Sequence, residues 1–101
     1  MAQFDVYANP NKTTNTETPY LLDVQADVLS PLGTRVVVPL VANAKQAKHL
    51  NPKFQINGKE VIMSTAQIVG VPIEILGDKI ATLKEQRAEI LAAIDFLITG
   101  F

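Results

Sequence analysis

Tyr20-Leu21-Leu22-Asp23-Val24-Gln25-Ala26-Asp27-Val28-Leu29 and, beyond it, Thr34-Arg35-Val36-Val37-Val38-Pro39-Leu40-Val41 decide the fold. In the first stretch Leu22, Val24, Ala26 and Val28 alternate with Asp23, Gln25 and Asp27. Side chains of a strand point to opposite faces in turn, so residues 20–29 read as a long strand with one apolar and one solvated face. Ser30-Pro31-Leu32-Gly33 between them reads as a turn, because Pro presets φ and Gly tolerates positive φ. The second stretch is apolar almost throughout and rich in β-branched residues, the pattern of a strand buried on both faces. Pro39 has no N–H to give to a ladder, so it belongs at an edge or a bulge.

On the N-terminal side, Gln3-Phe4-Asp5-Val6-Tyr7-Ala8 alternates in the same way. Phe4, Val6 and Ala8 share one side and Gln3, Asp5 and Tyr7 the other, as in a half-buried strand. Residues 9–19 contain two prolines and many side chains that bond their own backbone, so they form a mobile loop: a hairpin tip or a partner-docking segment. On the C-terminal side, residues 42–52 read as a short helix or an irregular arm. Lys45, Lys48, His49 and Lys53 cluster there, either as a solvated face or as a docking patch for an acidic partner. Phe54-Gln55-Ile56 and Val61-Ile62-Met63 flank Asn57-Gly58, a strong hairpin signal. Residues 68–76 supply a last strand, bounded by Gly77-Asp78.

The chain ends in a helix. Thr82-Leu83-Lys84-Glu85 has the spacing of a capping box, and no Gly or Pro interrupts residues 83–98. Leu83, Ile90, Leu91, Ile94, Leu97 and Ile98 recur at three- and four-residue steps and make one stripe. Gly100 suits the C-cap. Six or so strands followed by one terminal helix give an α+β chain with an antiparallel sheet.

Composition bounds the function. The 101 residues make one domain, spanning residues 1–101. Hydrophobic residues are 48% and charged residues 19%, too apolar for a disordered tail. With no cysteine, disulfides, zinc-thiolate sites and thiol nucleophiles are excluded. The net charge is −1 and the pI 5.7, which disfavours direct nucleic-acid binding. The N-terminus carries no signal-peptide pattern and no apolar run reaches a membrane span, so a cytoplasmic protein that does not engage a membrane is expected.

No catalytic constellation emerges. A serine–histidine–aspartate arrangement would have to join Ser30 or Ser64 to His49, the sole histidine, at spacings that do not support it. No phosphate-binding glycine loop occurs. Asp23 and Asp27 form a solvated carboxylate pair without further ligands at a metal-binding spacing, so neither a metal nor a cofactor is expected. What stands out is the end, Ile94-Asp95-Phe96-Leu97-Ile98-Thr99-Gly100-Phe101. Chain ends fray unless tied down. An apolar one must cover itself on its own core, on a sister subunit or on a partner.

The order and spacing of Gln3-Phe4 with Val6-Tyr7, Asp23-Val24-Gln25 with Asp27, Gly33 and Arg35 followed by Val37 and Pro39-Leu40, Leu50, Pro52, Val71-Pro72 and Leu76-Gly77 resemble the CcdB family of plasmid-type toxins over nearly the whole chain. The resemblance implies an SH3-like barrel core with a small hairpin wing and a C-terminal helix. It implies a homodimer presenting both C-terminal tips, which binds the DNA gyrase A subunit and traps gyrase on cleaved DNA. Such a protein is an inhibitor and not an enzyme, and it needs no cofactor. It also implies an antitoxin whose disordered tail folds on the toxin. Carried over by position, the gyrase contacts are Ala26, Val28 and Leu29 on the second strand, then Asp95, Ile98, Thr99, Gly100 and Phe101. Gly100 matches the family. Asp95 replaces Asn, Ile98 replaces Phe, Thr99 replaces a Trp that stacks on a gyrase arginine, and Phe101 replaces Ile. Phe101 is expected to supply the aromatic face that Thr99 lacks. For the antitoxin the expected contacts are the 42–50 arm, through Lys45, Lys48 and His49, with Ser64, Thr65, Gln67 and Val69. Two rival readings stay open: an endoribonuclease toxin of the Kid and MazF kind on the same fold, and an interaction module without toxicity.

Overall fold

The structure is a computed structural model that describes residues 2–100. Seven strands among the described residues build one sheet: β1 (Asp5–Ala8), β2 (Tyr20–Asp23), β3 (Thr34–Val41), β4 (Lys53–Ile56), β5 (Lys59–Met63), β6 (Val69–Pro72) and β7 (Lys79–Thr82). The helix α1 (Arg87–Thr99) follows. The strand order is β4-β5-β3-β2-β1-β7, every pairing antiparallel, and β6 adds a second partner to β3. The expected α+β class, curled barrel-like sheet, hairpin wing and terminal helix are all present.

β3 explains the curl. Its first half, Thr34 to Val37, pairs with β6, and its end, Leu40 and Val41, pairs with β5. Along its other edge β2 runs from Val37 to Leu40. One strand therefore serves two separate partners on one side, which bends the sheet into a half-barrel. Pro39 sits where the ladder passes from β6 to β5. Its carbonyl accepts the Ser64 N–H at 2.9 Å on that side. In extended backbone a residue's N and C=O face the same way, so the missing proline donor falls in the break. The hairpin wing is as the Asn-Gly pair requires: Ile56 pairs with Lys59, and Asn57 and Gly58 take φ of 50° and 82°.

Several expectations are corrected. β1 is buried on both faces, with Val6 at 0% and Tyr7 at 4% exposure. It lies between β2 and β7 and the curl covers both its sides. The long strand over residues 20–29 ends at Asp23, and a 3-10 turn, Asp27–Leu29, takes its place. Its supposedly solvated face is inside: Asp23 and Gln25 are buried, and only Asp27 is exposed. β7, a strand the sequence pattern does not predict, occupies Thr82. That residue's Oγ1 accepts the Lys84 N–H at 3.4 Å, so no capping box forms and α1 starts at Arg87, after a 3-10 turn Lys84–Gln86. The last strand shortens to β6 with a 3-10 turn Ile73–Ile75 behind it. Gly100 does cap the helix in the left-handed region at φ 77°, donating to the Phe96 carbonyl at 2.9 Å.

The core gathers Phe4 from the turn before β1, Val6, Leu22, Val38, Leu40 and Met63 of the sheet, Phe54 and Ile56 of the wing, and Leu83, Ile90 and Ala93 of the C-terminal segment. Phe4 holds φ 73°, costly for a bulky residue by about 1–2 kcal/mol. Its N–H reaches the Asp23 carbonyl at 2.6 Å and its carbonyl takes the Leu83 N–H at 2.8 Å. Those bonds and the ring's burial hold the conformation. The apolar helix stripe is split: Ile90 is buried, whereas Leu97 and Ile98 are exposed.

Candidate functional site

Two exposed apolar groups stand out. On the turn between β2 and β3, Val28 is 83% and Leu29 46% exposed. At the end of α1, Ile98 is 77% and Leu97 36% exposed. Ala26, Asp95, Thr99 and Gly100 are exposed as well. Phe101 lies outside the described residues. The helix packs on the segments 65–67 and 84–86, and the Val28 turn is bonded to Gln3 ahead of β1 and, through Gln25, to Val36 of β3. The two groups thus stand on separate elements of the subunit.

What fixes the Val28 turn is a buried polar network that includes Asp23 and Gln25, two residues expected on a solvated strand face. Arg35, 1% exposed, donates from Nε to Asp23 Oδ2 at 2.9 Å, and its Nη2 lies 2.6 Å from the same oxygen. The other Asp23 oxygen accepts the Gln25 N–H at 3.0 Å. The Gln25 side chain then spans two elements. Its Oε1 accepts the Val36 N–H at 3.0 Å, and its Nε2 donates to the Leu29 carbonyl at 3.1 Å. Asp27 completes the hold by accepting the Gln3 N–H at 2.7 Å. Burial pushes the Asp23 carboxyl above its ordinary range, against the pull of the Arg35 guanidinium and the Gln25 amide. These residues position the apolar turn. Their signal in the sequence was a run of polar side chains at alternate places beside an unusual arginine in an apolar strand.

Beside this network Asp5 and Tyr7 are buried, the phenol donating to Asp5 Oδ2 at 3.5 Å, with Lys79 Nζ 3.5 Å from that oxygen. Asp5 Oδ1 is buried without a hydrogen-bond partner among the described residues. Burial first, then the negative charges of Asp5 and Asp23, raise the Tyr7 phenol above its ordinary value.

The other expected surface centres on the 42–52 arm, which is irregular and closed by an isolated bridge between Ala47 and Asn51. Lys45, Lys48 and His49 are exposed, and the His49 ring lies 5.8 Å from that of Phe96 on α1. Ser64 donates to Gln67 Oε1 at 2.7 Å, and Gln67 and Val69 are exposed. Thr65 departs from the expectation. It is fully buried, its hydroxyl donates to the Leu50 carbonyl, and its N–H goes to Asn51 Oδ1 at 3.2 Å. It fastens the arm to the body and offers nothing to a partner. No group of three or more metal-ligating residues forms among the described residues. No described helix is long and apolar enough to cross a membrane.

Among solved structures, the chain is similar to an endoribonuclease in complex with its cognate antitoxin from a Mycobacterial species. The two share 14% identity and a TM-score of 0.71, over 97% of this chain and 94% of that one. At that identity the likeness is one of fold. Residues 3–100 match the sequence model of the CcdB protein family, which is nearly the whole described molecule, and the chain belongs to the CcdB family of toxins from toxin–antitoxin pairs.

Proposed function

We propose that the chain poisons DNA gyrase by binding its A subunit as a homodimer and stabilising the gyrase–cleaved DNA complex, and that an antitoxin with a disordered tail reverses this. The observation that carries the reading is Ile98, 77% exposed on the last turn of α1 beneath a left-handed Gly100 cap. A large apolar side chain at an exposed helix end gains about 1.5–3 kcal/mol when a partner buries it. Asp95, Thr99 and Gly100 complete that tip, Phe101 is assigned to the same gyrase contact from the family resemblance alone, and Ala26, Val28 and Leu29 add a second apolar contact on the turn braced by Gln25. Such a protein makes no bond. It traps gyrase only by binding the cleaved state more tightly than the others, which shifts the population toward that state. Lys45, Lys48, His49, Ser64, Gln67 and Val69 make the antitoxin-facing surface.

The second reading, an endoribonuclease, draws on the fold it shares with the Mycobacterial enzyme. Against it, Arg35 is buried and tied to Asp23, which leaves Arg87 as the exposed arginine for a phosphate.

One growth experiment separates the readings. Expressed without antitoxin, the chain arrests a gyrase-sensitive bacterium and spares a gyrase-resistant one. Ile98→Asp removes the arrest and lowers gyrase affinity at least tenfold, about 1.4 kcal/mol, while its exposed position leaves stability within about 0.5 kcal/mol. Arrest of both strains, with RNA cut by the purified protein, points to the endoribonuclease. Growth of both points to a module without toxicity.

A further inference from the structure

Between the 42–52 arm and α1 lies a cavity of about 240 Å³, walled by Gln46, His49 and Pro52 on one side and by Glu89, Ala92 and Phe96 on the other. Glu89, Ala92 and Phe96 fall at three- and four-residue steps and so share one face of the helix. Ala92 is small and leaves the floor open. Glu89 is the one charged side chain in the lining, it is exposed, and it enters no ion pair among the described residues. The Phe96 and His49 rings, 5.8 Å apart, form an aromatic end wall. The cavity thus offers an apolar wall and floor about two helical turns long, with an unpaired carboxylate at one end and the Gln46 amide elsewhere in its lining.

We infer that this cavity receives an arginine side chain of the antitoxin tail, the stem lying over Ala92 and against Phe96 and the guanidinium donating to Glu89. A guanidinium presents parallel donors that match a carboxylate in two-point fashion, and its stem tolerates apolar burial. Lysine would bring one compact, strongly hydrated charge and fit less well. The exposed Lys45 and Lys48 stand on the same arm, so the tail segment that fits carries an arginine with acidic neighbours. The identity of this partner rests on the reading of the arm as the antitoxin surface. The guanidinium specificity of the cavity does not.

The two are therefore tested apart. N-acetyl-arginine N-methylamide, titrated at millimolar concentration into the isotopically labelled full chain, should shift the backbone amide signals of Gln46, His49, Glu89, Ala92 and Phe96 together and to saturation. The citrulline counterpart, which has nearly the same shape and no charge, should bind at least fivefold more weakly. Glu89→Gln, and independently Ala92→Leu, which fills the floor with a good helix former, should each weaken arginine binding at least fivefold. Unmoved amides, equal binding of citrulline, or full binding by Glu89→Gln would overturn the cavity's assignment. The partner is read separately by co-purification of the antitoxin with a Lys45→Glu, Lys48→Glu double variant. Retained antitoxin there refutes the docking surface, whatever the arginine probe does.

Discussion

Tyr7 holds a phenol in the sheet interior, 4% exposed, facing the carboxylates of Asp5 and Asp23 with Arg35 as a partial counterweight. Alternation alone sent it to solvent together with Asp5, because a period of two cannot reveal that a strand has cover on both sides. The placement has a consequence in alkali. The folded phenol keeps its proton to higher pH than the unfolded one, which ionises at about pH 10. Above that pH the unfolded chain binds fewer protons than the folded chain, so stability falls as pH rises. Urea unfolding at pH 9 and pH 11 should show a larger loss for the wild type than for Tyr7→Phe. Equal losses would mean that the ring ionises freely in the fold. Asp23 and Gln25 read in the sequence as a solvated strand face, and with Arg35 they also match a family. Their role in bracing the Val28 turn comes from distances between elements.

The elements most legible in the sequence were those set by local chemistry. β3 was read with its observed bounds because its β-branched run is long and has turn residues on one side. The β4–β5 hairpin followed from Asn57-Gly58, and the helix stop from Gly100. β7 and the late start of α1 were missed for one reason: Lys79–Thr82 is short and lacks a strand pattern of its own, and it becomes a strand by pairing with β1. That pairing leaves little room at the preceding turn. The Gly77 N–H donates to the Ala8 carbonyl at 3.0 Å, and a Cβ on Gly77 would meet that same oxygen at 2.7 Å. Gly77→Ala should therefore cost about 1–3 kcal/mol in urea unfolding. Gly33→Ala, with no atom within 4 Å of its Cβ, should stay within about 0.5 kcal/mol. Similar losses at the two glycines would show that the β7 turn relaxes.

At the scale of the molecule, exposed Ala88, Ala92 and Ile98 border one open face of α1 beside the half-buried Leu91 and Ile94, and Val28 and Leu29 project elsewhere. Under the proposed homodimer, a second copy covers part of this surface. Sedimentation of the purified chain at micromolar concentration should give twice the 11.0 kDa chain mass. The chain mass alone at that concentration would refute the homodimer. By itself the sequence determined the class of the fold, its central strand, its hairpin wing and its apolar end, because these follow from period, turn chemistry and composition, which act over a few residues. Only the tertiary structure decided which polar side chains lie inside, that Thr65 is a fastener, where the helix begins and that Ile98 escapes the core, because burial and pairing depend on what the distant parts of the chain bring alongside.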